Sequence, residues 1–127
     1  MQSTFLVFLG GGIGAALRHG FNVVAARLFG LDFPWGTFGV NVLGSLAMGL
    51  VVGLFAMRGT GDFPLNARLF LATGVLGGFT TLSSFSLDAV VLWERGQAAV
   101  AFAYVLGSVV LSIAALTLGL LIARPLT

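Results

Sequence analysis

Polar side chains recur at every fourth position within two otherwise apolar segments of the 127-residue sequence. The two sets are Thr37, Asn41 and Ser45, and Tyr104, Ser108 and Ser112. Residues four apart lie on the same face of a helix, so each set would line one face with hydrogen-bond donors. Such a face can hold membrane helices together, or it can line the path of an ion. An amide is costly in lipid, so Asn41 is expected to face protein or water.

A further polar cluster lies at residues 73–86, where Gly77 and Gly78 stand beside a run of hydroxyl side chains. This stretch is a poor helix former, and two structures are consistent with it. The helix can break at residues 77–81 and free carbonyl oxygens, which are suitable ligands for a desolvated alkali cation. A break inside a bilayer must be buried in protein or line a cavity. Alternatively, the helix continues and its Ser and Thr side chains bond back to the preceding turn.

The residue types in these clusters favour a small anion as the ion carried. The sequence has no Lys, and residues 5–29 and 36–57 contain no carboxylate. Neutral donors allow an anion to lose its water without being trapped. Phe85 could add the positive edge of its aromatic ring, although packing against lipid or protein is the alternative for a single membrane Phe.

These clusters must be positioned by helices that cross a bilayer. The sequence is 58% hydrophobic and 8% charged, against about 45–50% and about 25% in soluble domains, so lipid must be the solvent for most of it. A spanning helix needs about 20 apolar residues. Four runs qualify, and they predict one all-α membrane domain over residues 1–127, with helices at residues 5–29, 36–57, 69–93 and 98–123.

Composition also excludes several classes of protein. The six Arg are scattered singly, so no basic patch could follow a phosphate backbone, and no nucleic-acid partner is expected. Cysteine is absent, which rules out a disulfide framework and a thiolate metal site. The first apolar run follows an uncharged N-terminus, unlike a cleaved signal peptide, so we expect it to be a retained helix.

The Arg residues are divided almost evenly between the two predicted sides of the membrane. One side has Arg58, Arg68 and Arg124, and the other has Arg27 and Arg95, plus Arg18 if it reaches the surface. Cytoplasmic loops normally carry the excess of positive charge. A chain without this bias can insert both ways up, and two opposite copies could pair as an antiparallel dimer. The alternative is that a single Arg decides the orientation.

Small residues recur on the faces where helices are predicted to pack closely. They are Ser45, Gly49 and Gly53 in the second helix, and Ala103 and Gly107 in the fourth.

The third predicted helix resembles the Fluc (CrcB-type) fluoride channels of bacteria. Its residues 74–86 are similar to the GGxTTFSTFS signature of that family. Residues 36–41 are similar to its GTLxVN segment, and residues 14–18 to its GAxLR pattern. The turn at residues 94–96 and the polar set that begins at Tyr104 also fit. The resemblance covers essentially the whole chain.

The resemblance implies an antiparallel, dual-topology homodimer in the cell inner membrane, which exports fluoride passively through two pores and so relieves fluoride toxicity. It implies a structural sodium ion at the centre of the dimer, held by the main-chain oxygens of Gly77 and Thr80 from each subunit. The positions it assigns to the anion pathway are Asn41, Phe85, Leu82, Thr37, Tyr104, Ser108, Ser112 and Ser84.

Two positions depart from the pattern of the family. Leu82 stands where the first pore phenylalanine is expected, and leucine has no positive ring edge. Asp88 stands where the family usually has Glu, and the shorter side chain is expected to reach a different partner.

Two other functions are consistent with a short four-helix membrane protein. A small multidrug-type, proton-coupled exporter needs a carboxylate in its first helix, and residues 5–29 have none. A purely structural membrane subunit would explain the glycines, but it would not explain a break flanked by aligned polar residues. We therefore predict a fluoride channel and no enzymatic activity.

Overall fold

The computed structural model describes residues 1–56 and 64–126 of the chain. Its helices are α1 (Gln2–Phe29), α2 (Trp35–Ala56), α3 (Leu65–Arg68), a π-helical segment (Leu69–Leu76), α4 (Gly77–Phe79), α5 (Leu82–Glu94) and α6 (Ala98–Ala123), followed by a 3₁₀ turn at Arg124–Leu126. Within these described residues, four spans are long and apolar enough to cross a membrane. The prediction of a multi-pass, all-α membrane protein is confirmed.

The predicted helix bounds are close to those of the structure. The fourth span agrees at both ends. The first begins at Gln2 rather than at residue 5, and the third runs over Leu65–Glu94 rather than residues 69–93. The predicted last residue of the second helix, Met57, lies outside the described residues, and so does Arg58.

The third span is broken in its middle, as one of the two interpretations of the sequence predicted. The backbone of Thr80 (φ −82°, ψ 159°) and of Thr81 (φ −155°, ψ 116°) is extended. The break is narrower than residues 77–81, because Gly77–Phe79 still form a helical turn. The π-helical segment before it was not predicted. Back-bonding also occurs, since the Thr80 hydroxyl donates to the Leu76 carbonyl at 2.9 Å.

Close packing against the third span explains why the first half of α1 is rich in glycine. A β-carbon at Gly14 would overlap the carbonyl oxygen of Val75, and a β-carbon at Gly10 would lie 2.5 Å from the carbonyl oxygen of Phe70. No side chain fits between backbones this close. The glycines therefore hold the segment before the break directly against α1.

The contact between α2 and α6 is made through small residues, as predicted for one of the two faces. A β-carbon at Gly49 would overlap the carbonyl oxygen of Leu116, and one at Gly53 would lie 2.5 Å from the β-carbon of Ala123. Close packing at Gly107 was also predicted, but no helix of the single chain approaches it among the described residues. A β-carbon there would have no neighbour within 4 Å. The close contacts of α6 with α2 lie nearer its C-terminal end, between Leu116 and Ala123.

Candidate functional site

Asn41 holds the break in place from the neighbouring helix α2. Its amide nitrogen donates to the carbonyl oxygen of Thr81 at 3.0 Å, and its amide oxygen accepts from the Thr81 N–H at 2.7 Å. In a continuous helix that N–H would donate to the carbonyl four residues earlier, on Gly77. The side chain of Asn41 thus replaces the helical bond on both sides of Thr81.

Thr81 begins the second half of the span. Its hydroxyl oxygen accepts from the N–H of Ser84 at 3.2 Å and lies 3.3 Å from the hydroxyl of Ser83. Threonine is a preferred residue immediately before a helix, where its side chain satisfies an otherwise unpaired N–H. This cap explains why α5 restarts at Leu82. It also gives Ser84, predicted as a pathway residue, a structural contact through its backbone.

Two carbonyl oxygens of the break have unusual surroundings. The Gly77 carbonyl does not receive the Thr81 N–H, which donates to Asn41 instead. Gly77 is also exposed on the single chain. The Thr80 carbonyl accepts from Nη1 of Arg18, on α1, at 3.2 Å. Arg18 therefore points at the middle of the span, and its interaction is with the break.

A cavity of about 390 Å³ lies beside the break. It is lined by Asn41, Gly44, Ser45, Met48, Thr80, Thr81, Leu82, Phe85, Ser108, Val109, Ser112, Ile113 and Leu116. Five of the eight predicted pathway residues thus meet at one cavity: Asn41, Leu82, Phe85, Ser108 and Ser112. The other three, Thr37, Tyr104 and Ser84, do not line it.

Ser108 has the most unusual environment of the cavity residues. It is 4% exposed, and its hydroxyl oxygen has no hydrogen-bond partner among the described residues. Buried hydroxyls are normally paired, because an unmade hydrogen bond in a protein interior is costly. The hydrogen-bonding capacity of this hydroxyl is therefore unused among the described residues, at a residue that lines the cavity.

Tyr104 and Thr37 lie beyond the cavity, in a closed aromatic cluster. Tyr104 is 1% exposed, and its hydroxyl donates to Oδ2 of Asp88 at 3.2 Å. Its ring packs edge-on against Phe33, with the centroids 5.4 Å apart. Thr37 is also buried, with its side chain against Tyr104. Asp88, which departs from the family pattern, thus binds the phenol predicted to belong to the polar track.

The two positions of the predicted aromatic pair differ. The ring of Phe85 is half-buried in the cavity wall, with its centroid 5.2 Å from that of Tyr104. Leu82 lies at the rim and is 75% exposed on the single chain. A leucine at the rim leaves space that a larger ring could occupy.

Three functional contacts were not predicted from the sequence: Thr81 as the cap, Arg18 as donor to the break, and Asp88 as acceptor from Tyr104. A threonine three residues before Ser84 is a recognisable capping signal. An Arg inside an apolar run is by default a candidate for function. Neither signal identifies the partner.

The cavity, the break and the four spans together define a small multi-pass membrane protein with a candidate ion pathway. The chain matches the family described as CrcB-like protein, Camphor Resistance (CrcB), over residues 5–120. The protein named Fluoride-specific ion channel FluC from Methylobacterium nodulans is 56% identical over 124 residues, 98% of each chain. The one from Beijerinckia indica subsp. indica is 52% identical over 127 residues, 100% of each.

A third relative, Fluoride-specific ion channel FluC 2 from Nitrobacter hamburgensis, is 53% identical over 122 residues, 96% of this chain and 97% of its own. The chain described above therefore belongs to the CrcB family. The resemblance that its residues 74–86 indicated is confirmed.

Proposed function

We propose that this protein is a fluoride-selective ion channel, not an enzyme, and that fluoride leaves the cell through it passively. The observation that supports this most directly is the unpaired, buried hydroxyl of Ser108 in the cavity beside the helix break. Fluoride is a small, strongly hydrated anion, and it can exchange water only for good donors. The names of the relatives agree with this anion.

The pathway passes between neutral donors and one ring. Asn41 has a second amide hydrogen beyond the one given to Thr81, while Ser108 and Ser112 line the same cavity from α6. Phe85 supplies a ring edge, which carries partial positive charge. These groups can replace part of the hydration shell without a fixed positive charge that would hold the ion.

The functional unit we propose is an antiparallel homodimer. A single chain leaves Leu82, Ser83 and Ser86 exposed beside the break. Uncovered backbone and hydroxyls at this depth are unfavourable in lipid, and a second copy would cover them. Arg18 binds the break instead of reaching the membrane surface. Three Arg then lie on one side of the membrane and two on the other. This difference is only a weak bias toward one orientation.

Sodium fits the residues at the proposed dimer centre. The Gly77 carbonyl has lost its helical donor and is exposed, and a carbonyl such as that of Thr80 has a second lone pair beside the one used by Arg18. Main-chain oxygens are suitable ligands for an alkali cation. Two chains would contribute four such oxygens. The ion would supply positive charge that joins the two breaks.

We place the channel in the cell inner membrane, where passive export would lower internal fluoride and give fluoride resistance. The small multidrug-type exporter is not favoured, because α1 contains no carboxylate for proton exchange.

The test is fluoride efflux from liposomes that contain the purified protein and potassium fluoride, with a potassium ionophore to balance the charge and a fluoride electrode to follow release. Liposomes loaded with potassium chloride and read with a chloride electrode are the control. We expect rapid fluoride release and no chloride release. Equal release of both anions, or release of neither, would contradict the proposal.

A further inference from the structure

Arg18 brings a permanent positive charge to the carbonyl oxygen that we assign to sodium. Its Nη1 atom donates to the Thr80 carbonyl at 3.2 Å, and a guanidinium does not lose its proton in proteins. We infer that Arg18 is a positioning residue that satisfies the break when no cation is bound and weakens sodium binding when the dimer forms. This inference rests on the sodium site proposed above.

The first half of the inference follows from the single chain. Before two copies meet, no partner oxygen or shared cation is available to the break. Arg18 is half-buried, and its one hydrogen-bond partner among the described residues is the Thr80 carbonyl. A mid-membrane carbonyl without a donor is costly, so this bond lets the broken span exist in an unpaired subunit.

The second half follows from the distance between charges. Oxygen ligands lie about 2.5 Å from a hard cation, and the guanidinium nitrogen lies 3.2 Å from the same oxygen. The two positive charges are then separated by less than about 6 Å, the range in which like charges disfavour each other. With an effective dielectric constant of about 20, each guanidinium lowers the affinity for sodium by roughly a hundredfold.

Loss of the charge therefore has two opposite consequences, which a merely structural role would not produce. Without sodium, Arg18→Gln should be less stable than the natural protein, because the Thr80 carbonyl loses a charged donor. With sodium, the same variant should bind the ion more tightly.

The experiment measures the unfolding temperature of purified dimers in detergent, without fluoride, while sodium chloride replaces N-methylglucamine chloride at constant ionic strength. A cation that binds the folded dimer raises this temperature by mass action. We expect the half-maximal sodium concentration to fall at least tenfold in Arg18→Gln. Arg18→Lys keeps the charge, and Arg27→Gln removes an exposed charge elsewhere on α1; both should stay within threefold of the natural protein.

Mixed dimers cover the case in which Arg18→Gln does not assemble with itself. Subunits with different affinity tags give dimers of one natural and one variant chain, which lose one guanidinium of the two. Their half-maximal concentration should fall by about the square root of the full effect. An unchanged or higher value, in either the pure or the mixed dimer, overturns the inference.

The outcomes separate this inference from the proposals beneath it. If the natural dimer shows no sodium dependence, both the sodium site and the role of Arg18 are wrong, while fluoride efflux still tests the channel. If the natural dimer depends on sodium and Arg18→Gln does not change the concentration needed, only the role of Arg18 is wrong.

Discussion

Two hydroxyls one turn apart on α6 have opposite environments. Tyr104 and Ser108 are both buried, and they belong to the same four-residue repeat. The phenol of Tyr104 donates to Asp88 at 3.2 Å, whereas the hydroxyl of Ser108 has no partner among the described residues and lines the cavity. One polar stripe thus contains one hydroxyl that is paired within the protein and one that is not.

The difference matters because burial raises the cost of an unpaired polar group. A satisfied hydroxyl contributes to stability, and an unsatisfied one costs about 1–3 kcal/mol. Under the function proposed above, this cost is retained beside the cavity because the hydroxyl serves the ion. We therefore expect substitutions at the cavity end of the stripe to change conduction, and those at the Tyr104 end to change mainly stability.

Asn41→Asp should have the largest effect on fluoride efflux. It places a negative charge in the cavity and removes the donor to the Thr81 carbonyl. Repulsion of a fluoride ion at about 4 Å costs about 4 kcal/mol with an effective dielectric constant of about 20, which corresponds to roughly a thousandfold slower efflux. Liposome efflux measures the rate, and size exclusion checks that the proposed dimer is retained.

The matched control for that variant is Asn66→Asp, which makes the same change at an exposed position near the start of the third span. It should conduct like the natural protein. Natural efflux in a dimeric Asn41→Asp protein would remove Asn41 from the pathway.

Ser108→Ala should slow fluoride efflux about tenfold, because the ion loses one hydrogen bond worth about 1.4 kcal/mol. The unfolding temperature should be unchanged or slightly higher, since the substitution removes an unsatisfied group. Thr117→Ala is the control, because the exposed Thr117 hydroxyl bonds back to the Ile113 carbonyl on the same helix. If Ser108→Ala conducts as fast as the control, its hydroxyl is not an anion ligand.

Tyr104→Phe should slow efflux by no more than about threefold, but it should destabilise the dimer by about 1–3 kcal/mol. The reason is that Asp88 loses its donor while it remains half-buried. Thermal unfolding and efflux are measured on the same preparation. A tenfold loss of efflux at natural stability would show instead that the phenol serves the ion directly, and the contrast with Ser108 would fail.

Leu82→Phe should have the smallest effect, with efflux within about twofold of the natural rate and the dimer intact. The side chain is 75% exposed on the single chain, so a ring does not displace the core of its own subunit. Val40→Phe is the contrasting variant, because Val40 is 0% exposed and overpacking a core costs about 1–3 kcal/mol. A monomeric Leu82→Phe protein would indicate that the rim has repacked around leucine.

The cavity end of the stripe was predictable in part. The spacing of Ser108 and Ser112 placed them on one helix face, and Asn41 was expected to face protein or water. All three line the cavity. The same spacing also predicted Tyr104 and Thr37 for the pathway, and neither lines it, because periodicity reports the face of a helix but not whether a neighbour fills it.

The sequence by itself determined that most of the chain lies in lipid. It also determined the number of spans and their approximate ends, because bilayer thickness sets how many apolar residues a span needs. It also located a weak point in the third span, since adjacent glycines and hydroxyls form poor helix. It left open whether the helix breaks there.

Only the tertiary structure decided which polar groups are satisfied. Asn41 and Thr81 are 40 positions apart, Arg18 and Thr80 are 62 apart, and Asp88 and Tyr104 are 16 apart. The first two pairs form where close glycine contacts bring α1 and α2 against the third span, and the third forms across the turn between α5 and α6. Local pattern carries no information about such partners, and these partners decide which hydroxyls are paired.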